Sequence, residues 1–241
     1  MTGFLSPPDL ETGSIQYARR FAGEAGAYLL DIQERGVKTL VQTAPADLRN
    51  AVDVGGGHGQ LVPALLSMGL QTTVLGSTPD CAEKLMQGAE AAEVRFVTGR
   101  LLDLPFATCA FDLVISIRLL AHIDDSRKLI DELCRVARRS VIVDYPTLVG
   151  ANALSAATFP IKRLIEKDTR TYRSFWPGQI EQAFRRNGFT LKGTFKQFTA
   201  PMGLHRLGGK PIRVVEEGLR RIGVTGLIGN PVLQRFDREA S

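Results

Sequence analysis

A chain of 241 residues can bury a sizeable core, and 44% hydrophobic with 23% charged residues is the balance of a soluble globular protein. The net charge of +5 is dispersed, and its densest group, Arg135 to Arg139, closes a predicted helix whose dipole favours cations there, so no nucleic-acid-binding stripe is expected. Cys81, Cys109 and Cys134 lack CxxC spacing, which argues against a metal (zinc) site or disulfide framework; with no basic-apolar leader and no span-length apolar run, the expectation is a cytoplasmic protein without membrane contact.

From Ser14 to Arg35, Tyr17, Phe21, Tyr28 and Ile32 fall near one helical face, and Gly23 and Gly26 predict two short helices in place of one. After the polar break TAPADLRN, NAVDVGGG reads as a buried strand ending in a glycine turn, and GQLVPALLSMG as the next helix, stopped by Gly69. LQTTVLGS is a second strand, and TPDCAEKLMQGAEA a helix with a threonine cap and a proline at its first position. AEVRFVTG and FDLVISIRLL are further strands. DDSRKLIDELCRVARRS is an amphipathic helix that places Cys134 in the core, and SVIVDYPT is a fifth strand. Apolar strands alternating with helices imply a parallel sheet covered on both faces.

In the last third, NALSAATFPIKRLIEKD, WPGQIEQAFRRNGF and KPIRVVEEGLRRIG read as helices. FTLKGTFKQFTA and GNPVLQRFDR read as strands, an antiparallel edge appended to the parallel sheet. No repeat or low-complexity linker divides the chain. The expected organisation is one domain over 1–241, with a helical N-terminal cap (1–45), a core (50–145), and a substrate cap with closing strands (146–241).

The most constrained stretch is VDVGGGHGQ, Val52 to Gln60. In a doubly wound sheet the first strand-to-helix turn lies where ligands bind, and its glycines let a ligand approach the backbone. Gly55, Gly57 and Gly59 form G-x-G-x-G; the dinucleotide pattern would need glycine at Gln60, and the ending of a phosphate loop is absent.

VDVGGGHGQL resembles motif I of the class I S-adenosylmethionine-dependent methyltransferases. GRLLDLPFATCAFDLVISIRLLAHIDDSRKLIDELCRVAR is similar, in order and spacing, to the same family's stretch from the third strand to the helix after the fourth. FWPGQIEQAFRRNGF is similar to its later helix. The nearest branch is the small-molecule type 11 group. The resemblance implies a Rossmann-like α/β fold: a doubly wound, mostly parallel seven-stranded sheet with an antiparallel last strand, a helical N-terminal cap and a late lid insertion. It implies S-adenosyl-L-methionine as cofactor, its methionine end over Gly55, Gly57 and Gly59, with Asp53 fixing the turn or the amino group. Tyr17 and Arg20, from the cap, and Arg118, after the fourth strand, are candidates to meet a carboxylate.

Two positions depart from the family's pattern. Where an acidic residue usually accepts both ribose hydroxyls, this chain has Gly76, with Ser77 beside it. Where an acid usually lies near the adenine amino group, it has Arg100, which has only donors to offer. Backbone atoms at Leu101 and Leu102 are the expected substitutes for reading adenine.

Methyl transfer needs alignment above all, and a base only when the acceptor must lose a proton. Candidates are His122 after the fourth strand, Tyr145 beside Asp144 after the fifth, and His205 in TAPMGLHRLGGKP, which reads as a lid loop. FPIKRLIEKDTRTYRSFW, with Phe159, Tyr172, Phe175 and Trp176, suits a substrate cap. The expected function is methyl transfer to O, N or C of a small molecule. The alternative is a catalytically silent protein of the same fold holding a different ligand. A small-molecule acceptor is the expected partner, and a homodimer is compatible with the sequence.

Overall fold

The structure, a computed structural model, describes residues 9, 23–45, 47–56, 59–149, 173–200 and 202–239. The expectations for Tyr17, Arg20, Gly57, Phe159 and Tyr172 lie outside these residues. Seven strands form one sheet in the order β3-β2-β1-β4-β5-β7-β6. They are β1 (Asn50–Val54), β2 (Gln71–Gly76), β3 (Arg95–Thr98), β4 (Phe111–Ser116), β5 (Ala137–Tyr145), β6 (Phe189–Phe198) and β7 (Asn230–Arg238). The first five are parallel neighbours. β7 runs antiparallel to both β5 and β6. The antiparallel last strand is therefore present, inserted between β5 and β6 and not at the sheet's rim.

Alternation along the central strands sets two faces. Val52, Val54, Val114, Val141, Val143 and Tyr145 join a large core cluster with Leu129, Leu133 and Cys134. These last three lie on α3 (Ser126–Val136), which Asp125 caps by accepting from the Lys128 amide at 3.0 Å. Ala51, Leu113, Ile115 and Ile142 point the other way, against Val37 and Leu40 of α1 (Gly23–Gln42) and Leu61 and Leu65 at α2 (Val62–Ser67). Asp53 and Asp144 belong by register to this second face.

Two local expectations are corrected and a third is met only in part. From Gly23 onward α1 is one continuous helix with no break at Gly26, and the part of the expected helical pair before Gly23 lies outside the described residues. Gly26 is buried within it, and a Cβ on Gly36 would meet Leu233 Cδ1 at 2.5 Å and Phe195 Cδ1 at 2.6 Å. Close helix-to-sheet approach, and not chain reversal, explains that glycine. The segment after Thr78 folds as short 3₁₀ turns at Pro79–Ala82, Leu85–Gln87 and Ala89–Glu93 in place of a helix. Thr78 makes no side-chain cap, and Gly88 is extended, which interrupts any helix there. The expected lid loop around His205 is helical: α5 (Met202–Arg221) kinks at Gly209, just before Pro211. α4 (Pro177–Arg186) and the short α6 (Val224–Ile228) complete the described helices.

Candidate functional site

Strand order reverses at β1, whose neighbours are β2 and β4, so the crevice outside the carboxyl ends of β1 and β4 is where this architecture binds ligands. A pocket lies there, lined by Asp53, Gly55, Gly56, Gln60, Leu61, Ile117 and Arg118.

The glycine turn is built around Asp53. Gly55 adopts φ +78°, a left-handed conformation that disfavours a side chain, and its amide donates to Leu75 O at 2.8 Å. A Cβ on Gly56 would stand 2.0 Å from Asp53 Oδ2, so the turn closes directly over the carboxylate and only glycine fits. Asp53 is almost fully buried. Burial pushes its pKa up to about 7, against the opposing pull of the Arg118 guanidinium.

Arg118 follows β4 with φ +59°, a strained conformation for a residue with a side chain. Its amide donates to Asp144 Oδ1 at 2.5 Å, and its guanidinium donates to Gln60 Oε1. Gln60 in turn donates to Gln33 Oε1 at 2.8 Å, and Gln33 to Asp144 Oδ2 at 3.2 Å. These four side chains link the ends of β4 and β5, the glycine turn and α1. Burial raises the Asp144 pKa to about 6, opposed by the Arg118 amide and guanidinium.

At the end of β2, the Ser77 amide donates to Asp9 Oδ2 at 2.6 Å, and Asp9 is fully buried. Gly76 has no room for an acid, since a Cβ there would meet Cys81 Cβ at 2.7 Å and Phe96 Cζ at 2.8 Å. Arg100 is exposed and pairs through its backbone with Asp103, while Leu101 and Leu102 pack onto the core.

The residues expected from sequence are thus partly assembled. Asp53, Gly55 and Arg118 line the pocket, and the Gly59 amide donates to Gly56 O at 2.7 Å within the same turn, whereas Ser77 is not among the pocket's lining. His122 sits half-buried in the 3₁₀ turn Leu120–His122, four residues beyond Arg118. Tyr145 lies on the opposite sheet face. It is fully buried, edge-on to Phe175, with its hydroxyl donating to Gln234 Oε1 at 2.5 Å. Asp144, its neighbour, is the residue that reaches the site, because adjacent strand residues face opposite sides. His205 and Glu216, both on α5, are buried in a cluster with Tyr28 and Phe198, not at the pocket. Gln33 and Asp9 were not expected. The sequence signal for Gln33 is a polar residue among Leu29, Ile32, Val37 and Leu40 on the buried side of α1; Asp9 carries none.

Sheet order, an antiparallel seventh strand and a glycine turn over a buried aspartate define the class I methyltransferase fold. The family model "Methyltransferase domain" matches residues 52–143, the strand-and-turn stretch from β1 to β5. It is 28% identical over 174 residues to ajmaline N-methyltransferase of Rauvolfia serpentina, covering 70% of this chain and 53% of that one. It is 29% identical over 120 residues to the O-methyltransferase resE of Aspergillus sclerotiorum, covering 49% of this chain and 39% of the relative. The chain thus spans about half, or less, of the length of the curated relatives it matches. The magnesium protoporphyrin IX methyltransferase (ChlM) of Synechocystis PCC 6803, with bound SAH, has the same fold. The TM-score is 0.64 at 16% identity, with 95% of this chain and 96% of that one covered. Among the described residues, no group of three or more His, Cys, Asp and Glu is placed to hold a metal ion, and no helix is long and apolar enough to cross a membrane.

Proposed function

We propose that this chain is an S-adenosylmethionine-dependent methyltransferase acting on a small molecule. The observation that carries this reading is the pairing of Asp53 with Arg118 across a glycine-lined pocket at the end of β1. A zwitterionic amino acid presents an ammonium and a carboxylate, and the pocket offers one carboxylate, one guanidinium and backbone left open by Gly55 and Gly56. The donor set fits the methionine end of the cofactor. When bound, S-adenosylmethionine supplies a methyl group on a positively charged sulfur, a good leaving group.

The chain's own residues bind and align. Arg118, held by Gln60 and anchored at its amide by Asp144, meets the carboxylate. Asp53, under Gly56, takes the ammonium side. Proximity and in-line alignment then supply most of the acceleration. For a hydroxyl acceptor, His122 takes the proton at its imidazole. The small-molecule class draws support from the relatives, an N-methyltransferase and an O-methyltransferase, which bear on class and not on the atom methylated.

Calorimetry with S-adenosylmethionine and S-adenosylhomocysteine tests the cofactor, and transfer of a tritiated methyl group to a panel of phenols, carboxylates and amines tests the reaction. Binding of neither compound at millimolar concentration would end this reading. Tight binding without transfer to any acceptor would favour the silent-binder alternative.

A further inference from the structure

The outward face of α5 is aliphatic at helical spacing. Pro211, Val214, Val215 and Gly218 are all exposed and follow the i, i+3, i+4, i+7 positions of one helix face. Ile222, whose amide donates to Gly218 O at 3.1 Å, continues that face. Val214 and Ile222 are each 73% exposed, and Leu227, on the following α6, is 75% exposed with Ile228 beside it. Single exposed aliphatic residues are ordinary, but a stripe of them along one helix marks a contact surface.

The charges of these helices are sorted. Both acids of α5 turn inward. Glu216 is buried and accepts from the amides of Thr199 and Ala200, and Glu217 accepts from the Tyr28 hydroxyl and Arg35 of α1, each at 3.2 Å. The cations stay with the stripe. Lys210 and Arg221 are exposed beside it near its two ends, with no ion pair among the described residues. The Lys196 ammonium donates to Leu227 O, next to the exposed part of α6. The outward face thus carries aliphatic side chains and cations, and no acid among the described residues of α5 and α6.

We propose that the outward face of α5 and α6 docks on an anionic lipid surface, Val214, Val215, Ile222 and Leu227 entering the acyl boundary and Lys210, Arg221 and Lys196 meeting the headgroups. An amphipathic helix of this kind lies in the plane of the interface, its apolar side buried and its cations at headgroup level. A second copy is disfavoured by charge, because an isologous contact sets a patch against itself, and this one has cations with no acid to receive them. The face also lacks the aromatic anchors on which a protein partner is usually centred. No described helix is long and apolar enough to cross a membrane, so the contact is with the surface alone. It departs from the expectation of no membrane contact, which considered only spans and leaders, and it does not depend on the cofactor reading.

The test is cosedimentation of the whole chain with vesicles of equal parts phosphatidylcholine and phosphatidylglycerol, and with vesicles of phosphatidylcholine alone. The wild type is expected to bind the anionic vesicles at least about tenfold more tightly, and to lose that preference in molar salt, where charges are screened. V214N/I222N keeps the net charge and should bind at least about tenfold more weakly, since burying one such side chain is already worth that much. K210Q/R221Q should lose about fivefold per cation, whereas K84Q/R127Q, which removes equal charge elsewhere, should stay near the wild type. No binding to the anionic vesicles, equal binding to the neutral ones, full binding by V214N/I222N, or equal losses in the two charge variants would each overturn the proposal. Light scattering without lipid tests the second copy: a wild-type dimer that V214N/I222N makes monomeric would give the face to it and overturn the lipid assignment. Binding of poly-L-glutamate in place of the anionic vesicles would give it to an acidic protein, with the same consequence. The substituted side chains are exposed, so melting curves should match the wild type; if V214N/I222N does not fold, the two charge variants decide.

Discussion

The amide of Arg118 donates to Asp144 Oδ1 at 2.5 Å, which ties a residue in the left-handed region to the end of the neighbouring strand. The strained backbone sits beside a guanidinium that lines the pocket and meets Gln60, so strain and the pocket wall are joined at one residue. R118A keeps the strain and loses the guanidinium, whereas R118G loses both. R118G should therefore be the more stable of the two by about 1 kcal/mol in urea unfolding. Both should bind S-adenosylhomocysteine more weakly than the wild type. Equal stabilities would show that the φ of +59° carries no strain.

Removing the anchor is a separate matter. D144A leaves the Arg118 amide and Gln33 without their shared acceptor, which is expected to cost about 1–3 kcal/mol of stability. D144N retains an oxygen acceptor for the Arg118 amide and should lose less. A D144N loss as large as that of D144A would place the effect in the charge and not in the hydrogen bonds.

Asp53 gives a pH signature of definite sign. Its folded-state pKa, about 7, lies above the ordinary 3.8, so its protonated form favours the folded state. The wild type loses this contribution as pH rises between these two values, and D53N does not. The melting temperature of D53N minus that of the wild type should climb through that window and level off above about pH 7. Asp144, raised for the same cause, contributes in both proteins and largely cancels. A flat or falling difference would contradict a buried carboxyl whose pKa is raised.

At Gly56 the prediction concerns space. G56A drives a methyl group into Asp53 Oδ2, which a Cβ would meet at 2.0 Å. Overpacking of this kind costs about 1–3 kcal/mol. In a D53A background the same substitution should cost much less. Undiminished cost in that double variant would mean that the turn, and not the carboxylate beneath it, requires the glycine.

The His205 cluster should affect stability without touching the ligand. Glu216 accepts from the amides of Thr199 and Ala200 and faces His205 Nε2 at 3.4 Å. Burial works to raise its pKa, but these hydrogen bonds prevail and hold it below the ordinary 4.5. That contribution is present above the ordinary value and lost as pH falls through the folded one. E216A should lower stability by about 2–4 kcal/mol near neutral pH, and by less in acid. Its affinity for S-adenosylhomocysteine should match the wild type; a tenfold loss would connect this cluster to the pocket.

Much of this fold was legible in the sequence because period and punctuation agreed: every expected strand formed. The failures share one cause, reading glycine and threonine as local signals. Gly26 sits buried inside one helix, and Thr78 makes no cap. The site was half legible. Asp53 and Gly55 lie in the glycine motif and Arg118 directly follows an apolar strand, so local sequence was enough to single out these three pocket-lining residues. Asp144 and Tyr145 were both named, and only the sheet face distinguishes them. Asp9, Gln33 and Gln60 act through contacts between distant segments, which no local pattern records.

The placement of β7 between β5 and β6 fixes an order of assembly during synthesis. β5 and everything before it can pair as the chain emerges, because each of β2 to β5 has a neighbour already made. β6 has none until residues 230–238 exist. The half of the sheet that carries the pocket thus has its strands well before the half that carries β6 and α5, and the final strand is the one that joins them.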